Sequence, residues 1–205
     1  MIRQWVASSL YDRIRYVHGK HSALHQLTCC STRPFLTAIE KRWIVFQLLS
    51  ALRDCRAQNI SHGDIKSENV LVTSWNYVYL TDFASFKPVY LPLDNPSDFA
   101  FYYDTSGRRN CYIAPERFYT VEKGVSQVQR SSDQTNTKEG KVTEAMDIFS
   151  AGCVVAELFF DGAPMFTLSQ LFKYREGELN PDNQLAVVED PGIRVRVYTT
   201  VSPIF

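Results

Sequence analysis

One stretch constrains the fold more than any other. Residues 144–160, EAMDIFSAGCVVAELFF, are apolar nearly all round, and a helix of that kind has to be surrounded by protein. It is too short to span a bilayer, and it carries Glu157. Asp147 lies near its start, a carboxylate that must be hydrogen-bonded if it is buried at all. The rest of the chain therefore has to build layers around this segment. With 205 residues it is long enough for one domain with a real core. At 45% hydrophobic and 21% charged residues the composition is globular. With a net charge of zero, nothing in the bulk electrostatics argues for nucleic acid or another polyanion as partner, and none is expected. The five cysteines, Cys29, Cys30, Cys55, Cys111 and Cys153, form no C-x-x-C pair, the pattern of a reduced, intracellular protein. MIRQWVASSL has no apolar run of a signal peptide, and no glycine follows Met1 for myristoylation.

The surrounding elements follow from periodicity. From Thr37 to about Asn59 the spacing of Ile39, Trp43, Phe46 and Leu49 predicts an amphipathic helix with that face inward, opened by a Thr37–Glu40 capping box. VLVT and YVYLTDF flank Ser74-Trp75-Asn76, which predicts a hairpin leading into Asp82. An irregular segment with Pro88, Pro92, Pro96 and Gly107 runs on to APE. Its Tyr102, Tyr103, Thr105 and Ser106 are taken as water-facing loop residues. Residues 122–141 have almost no apolar content and predict a mobile loop. TLSQLFKYREG predicts a short helix capped by Thr167 and Gln170 and ended by Gly177. The order is helix, hairpin, loop, central helix, helix: α+β, with helices dominant.

The chemistry lies in HGDIKSENVLVTSWNYVYLTDFAS, residues 62–85. Phosphoryl transfer requires a positioned hydroxyl, neutralised phosphate charge and a held Mg²⁺. Asp64 is placed to accept or orient a substrate hydroxyl, and Lys66 puts a point charge beside a transferred phosphate. Asn69 offers a neutral oxygen and Asp82 a charged one, the hard donors that Mg²⁺ prefers. His62 and Phe83 are expected to stack and keep the two motifs in register. D-x-K-x-x-N alone is a common polar turn; joined across a hairpin to D-F and then to A-P-E it points to a protein kinase site using ATP or GTP with Mg²⁺. His21, His25 and Cys29 fall at i, i+4 and i+8, but they lack a fourth ligand and are read as a chance alignment rather than zinc.

At finer grain LYDRI, STRPFL, IEKRWI, HGDIKSENV, VTSWN, LTDFASFKP, CYIAPERF and MDIFSAGCVVAELF resemble one family. It is the kinase-like regulatory subunit of the class III phosphatidylinositol 3-kinase complex, the vacuolar protein sorting serine/threonine-protein kinases. The resemblance implies a protein-kinase-like fold, mostly the helical large lobe, over residues 1–193. Residues 15–30 then read as a spurious insert and 194–205 as a non-matching tail. It also implies serine or threonine as acceptor, the lipid-kinase catalytic subunit as partner, and peripheral attachment to endosomal and autophagic membranes through that complex or a lipidated N-terminus missing from this sequence. In such kinases the equivalent of Asp147 tethers the catalytic loop, and the equivalent of Glu116 pairs with a late arginine, for which this sequence offers no convincing partner. No glycine-rich loop or V-A-I-K lysine precedes His62; with the insert and tail, an incomplete or mis-spliced gene model accounts for this most simply. Gly63 stands where an arginine usually clamps a phosphorylated activation loop. Ala84 replaces a glycine that lets the D-F-G segment flip, and Arg109 stands where active kinases commonly place a threonine bonded to the catalytic Asp. These departures also fit a nucleotide-binding scaffold without phosphoryl transfer.

Overall fold

A computed structural model describes residues 8–15, 36–120 and 140–201, with Arg15 described by its backbone alone. Strand β1 (Ser8–Ser9) and helix α1 (Leu10–Arg15) come first, followed by α2 (Ala38–Ala57), β2 (Val70–Val72) and β3 (Val78–Leu80). Then come β4 (Leu91–Pro92), α3 (Pro96–Tyr102), a 3₁₀ turn (Pro115–Arg117) and β5 (Phe118–Tyr119). The chain continues through α4 (Glu144–Phe159), α5 (Leu168–Arg175), α6 (Asp182–Leu185) and α7 (Pro191–Val201). The 122–141 loop falls almost wholly outside the described residues, as do residues 16–30 of the supposed insert. Among the described residues, no helix is long and apolar enough to cross a membrane.

Helix α4 is the centre. Phe149, Ala151, Cys153, Val154, Ala156 and Leu158 are all buried, so the helix is enclosed as its composition requires. Thr143 caps its start by accepting from Met146 N, a bond that satisfies one of the orphan N–H groups of the first turn. Helices α2 and α7 pack against it. Ile193, Val197 and Val201 of α7 are buried, so the boundary drawn at residue 193 lies inside a helix that belongs to the core. The contact with α7 runs through Gly152. A methyl group there would run into the Thr200 side chain and come to 3.0 Å from Val201 Cγ2.

Helix α2 opens with both bonds of the Thr37–Glu40 capping box, but its inward face is not the predicted one. Ile44, Val45, Leu48 and Leu52 are buried, whereas Ile39, Trp43 and Phe46 are exposed. The helix carries apolar residues on two faces, and periodicity alone cannot choose between them. Contact with α4 and β3 chooses the other. Trp43 and Phe46 stack on each other on the outside, with ring centroids 5.6 Å apart.

The hairpin forms where the sequence places it. β2 and β3 pair antiparallel with Leu71 opposite Tyr79, and Asn76 takes φ 60° in the turn, a conformation asparagine tolerates. Ser8–Ser9 adds a third strand to β2. The segment expected to be irregular contains α3, capped by Asn95 with Pro96 in its first turn, and a parallel pairing of β4 with β5. Turn-forming residues at 88–96 masked both: proline starts helices as well as breaking them, and a two-residue strand leaves no period to read. Helix α5 has its Thr167–Gln170 capping box, and Gly177 beyond it has φ 78°.

Packing at Gly152 should outweigh the gain in helix propensity that alanine brings. Gly152→Ala is expected to lower stability by about 1–3 kcal/mol, the usual cost of overpacking a tight contact, as measured by urea denaturation. A more stable variant would mean that α7 gives way freely.

Candidate active site

The site is built on one carboxylate of α4. Asp147 accepts from His62 N through Oδ2 at 2.7 Å and from Gly63 N through Oδ1 at 2.8 Å. Both bonds are buried, which satisfies the requirement that a carboxylate in this helix be paired. Gly63 has φ 79°, and a Cβ there would lie 3.1 Å from Val142 Cγ2. Glycine is thus what lets the loop turn toward Asp147. The Gly63 carbonyl accepts from Arg117 Nη1 at 2.9 Å.

His62 connects the loop to the hairpin's exit. Its Nδ1 accepts from Asp64 N at 3.3 Å, leaving Nε2–H to donate to Thr81 O at 2.9 Å. Its ring lies 4.3 Å from that of Phe83, tilted by 30°. Ala84 N donates to His62 O at 2.8 Å. Burial pulls the imidazole below its ordinary 6.5, against the attraction of Asp147.

Asp64, Lys66 and Asn69 come together and are all buried. Asn69 Nδ2 donates to the Asp64 carbonyl at 2.9 Å and to Asp64 Oδ2 at 3.1 Å. The amide nitrogen is thereby committed to Asp64, and the amide oxygen is the atom left for a cation. Lys66 Nζ donates to Tyr103 O at 3.2 Å and lies 3.6 Å from Asp64 Oδ2 and 3.5 Å from Glu68 Oε2. Asp82 is exposed at the hairpin's end with φ 61°. A short polar side chain such as aspartate tolerates that left-handed conformation. An exposed carboxylate and a directed amide oxygen are hard donors that fit Mg²⁺. The described residues contain no cluster of three or more His, Cys, Asp or Glu that would make a closed metal cage, and a nucleotide-borne Mg²⁺ needs none. His21, His25 and Cys29 lie outside the described residues.

The segment from Lys87 to Arg117 carries the remaining residues. Glu116 is exposed. Its neighbour Arg117 is the buried one: beyond Gly63 it donates to Val89 O at 2.7 Å and to the Tyr103 hydroxyl. Tyr103, read as water-facing, is buried and donates to Pro88 O at 2.7 Å. Arg109 is exposed, and its backbone N–H donates to Asp104 Oδ2 at 2.9 Å. The residue that reaches Asp64 instead is Lys87, 2.7 Å from Oδ2. A lone lysine between Phe86 and Pro88 carries no sequence signal for that role, and neither does an arginine beside Glu116.

The chain is also similar to known proteins. The protein kinase domain family matches residues 14–183. The serine/threonine-protein kinase VPS15 of Arabidopsis thaliana is 48% identical over 194 residues, 95% of this chain and 11% of that protein. The probable serine/threonine-protein kinase vps15 of Dictyostelium discoideum is 48% identical over 198 residues, 96% of this chain and 9% of that protein. The VPS15 of Saccharomyces cerevisiae is 49% identical over 190 residues, 92% of this chain and 11% of that protein. The chain thus spans roughly a tenth of the length of these curated relatives.

Two predictions follow from the tether. Asp147→Ala leaves the N–H groups of His62 and Gly63 without an acceptor and is expected to cost roughly 3 kcal/mol, with Asp147→Asn costing less; equal loss in the two variants would show that the carboxylate's hydrogen bonds are not what matters. His62 gives a pH dependence. Below pH 6.5 the unfolded chain protonates this imidazole while the folded one keeps it neutral, so its contribution is intact above 6.5 and is lost as pH falls through that value toward the lower folded pKa. Stability measured from pH 7.5 to 5 is expected to decline less steeply in His62→Gln than in the natural protein.

Proposed function

Because the chain belongs to the protein kinase domain family, we propose that its site binds a nucleoside triphosphate with Mg²⁺ and directs the terminal phosphoryl group to a serine or threonine hydroxyl of a protein. The observation that carries this reading is the Asp64–Asn69 pair, fixed by two hydrogen bonds at the foot of the hairpin that ends in Asp82. Asn69 and Asp82 are the residues that would hold Mg²⁺, which when bound neutralises charge on the phosphates. Asp64 accepts the proton of the attacking hydroxyl or orients it, and the Lys66 ammonium stands beside Asp64 to offset charge on the transferred group. Leu71 and its cross-strand partner Tyr79 lie on the sheet face opposite buried Val70 and Val72, an apolar surface suited to a purine base. Lysine rather than arginine in the D-x-K-x-x-N loop, and relatives named serine/threonine-protein kinases at 48–49% identity, support hydroxyls of serine and threonine as acceptors.

In the wider protein the reading extends, on family resemblance, to assembly with the class III phosphatidylinositol 3-kinase and to peripheral association with endosomal or autophagic membranes through that complex. A second reading, a nucleotide-binding scaffold that regulates the lipid kinase without transferring phosphate, is favoured by one observation: exposed Arg109 points its backbone to Asp104 and supplies Asp64 with nothing.

Thermal unfolding of the intact protein with Mg²⁺-ATP and Mg²⁺-GTP tests the first step. Nucleotide at a hundredfold its Kd is expected to add about 2.7 kcal/mol, and Asp82→Asn to remove most of that gain. Asp64→Ala is expected to keep the thermal shift and abolish transfer of labelled phosphate. Transfer surviving in Asp64→Ala would sink the enzymatic reading, and lipid-kinase regulation unchanged in the same variant would separate that regulation from catalysis.

A further inference from the structure

Asp64 has a partner that the D-x-K-x-x-N motif does not supply. Lys87, from the segment following Asp82, places Nζ 2.7 Å from Asp64 Oδ2, with the two side chains 13% and 6% exposed. Asn69 Nδ2 reaches the same oxygen at 3.1 Å, and Lys66 Nζ lies 3.6 Å from it. Among the described residues, no donor reaches Oδ1 of Asp64. Lys87 is itself held in place. Its backbone N–H donates to Ala84 O at 3.2 Å, and its ammonium lies 5.0 Å from the centre of the Tyr103 ring. Tyr103 is anchored in turn by Pro88 and Arg117.

A charge-assisted bond of this length in a nearly dry site fixes a carboxylate's rotamer far better than a neutral donor does. That fixing is the service a threonine renders in kinases that carry one at position 109. Here Arg109 is exposed with its backbone N–H donated to Asp104, and the short charged bond to Asp64 comes from Lys87. We infer that Lys87 is the positioning residue of this site: together with Asn69 it holds Asp64 by Oδ2 and leaves Oδ1 for the hydroxyl of the substrate. The inference rests on the phosphoryl-transfer reading above. Lys87 touches neither nucleotide nor acceptor in this scheme; it acts through Asp64. Its loss therefore lowers the rate of transfer without altering nucleotide binding, which belongs to Asn69 and Asp82.

The test uses the intact protein. Single-turnover transfer from labelled ATP to the protein's own hydroxyls and the Kd of a fluorescent ATP analogue are measured for the natural protein, Lys87→Met, Lys87→Arg and Asp64→Ala. Methionine keeps the apolar stem and removes the charge; arginine restores a cation with different geometry. Lys87→Met is expected to slow transfer by about tenfold or more while the Kd stays within about twofold, as misplacement of a reacting group does. Lys87→Arg is expected to recover part of the rate. An active natural protein indifferent to Lys87→Met overturns the inference alone. Faster transfer in Lys87→Met overturns it too, since Lys87 would then be blocking Asp64. Joint loss of transfer and nucleotide affinity overturns it in favour of a purely structural lysine. A natural protein no faster than Asp64→Ala removes the phosphoryl-transfer reading and this inference with it.

Discussion

The two hydrogen bonds that Asp147 accepts, from His62 N and Gly63 N, are what the rest of the site stands on. A carboxylate inside an apolar helix is costly unless its lone pairs are taken, and the backbone of His62 and Gly63 is what takes them. The same bonds orient the loop. With the peptide of residues 62 and 63 turned toward α4, the Gly63 carbonyl faces Arg117 and the His62 ring faces Thr81 and Phe83. The enclosed helix thus sets the position of a loop distant from it in sequence, and that loop sets the hairpin exit where Asp82 lies.

The segment between Asp82 and Pro115 is fastened by a second buried group. Arg117 is fully enclosed and spends its guanidinium on the carbonyls of Val89 and Gly63 and on the Tyr103 hydroxyl. Its planar fork of donors suits several acceptors at once. Where other kinases place an arginine at position 63 to seize a phosphate, here the arginine comes from the far end of the segment and seizes backbone. Around Asp64 each carboxylate is paired: Lys87 and Lys66 lie within 3.6 Å of Asp64, and Lys66 and Arg108 within 3.5 Å of Glu68, so no buried carboxylate of the cluster is left uncompensated.

Part of this was legible in the chain. Capping boxes at Thr37 and Thr167, the turn at Asn76 and the enclosed character of α4 are local properties, set within a few residues, and the structure has them where the sequence indicates. The face that α2 turns inward was not legible, because Ile39, Trp43 and Phe46 compete with Ile44, Val45 and Leu48 for the same neighbours. Nor was α3, whose first turn begins on the proline that marks a break. In the site, Asp64, Lys66, Asn69, His62 and Asp147 were legible because their spacing is itself the signal. Lys87, Arg117 and Tyr103 were not, since each acts on a residue remote in sequence and none belongs to a spaced pattern.

The sequence by itself determined which side chains could do chemistry here: a carboxylate, a lysine and an amide at fixed spacing on one loop, a second carboxylate beyond a hairpin, and a buried helix to mount them on. Tertiary structure alone decided how they are held. It chose Lys87 rather than residue 109 as the partner of Asp64, Arg117 rather than Glu116 as the buried anchor, and the inner rather than the outer apolar face of α2. The physical reason is the same in each case. Spacing along a chain fixes contacts within a turn or a hairpin, whereas a charge such as that of Lys87 or Arg117 finds its partner only after the core has closed and excluded the water that would otherwise satisfy it.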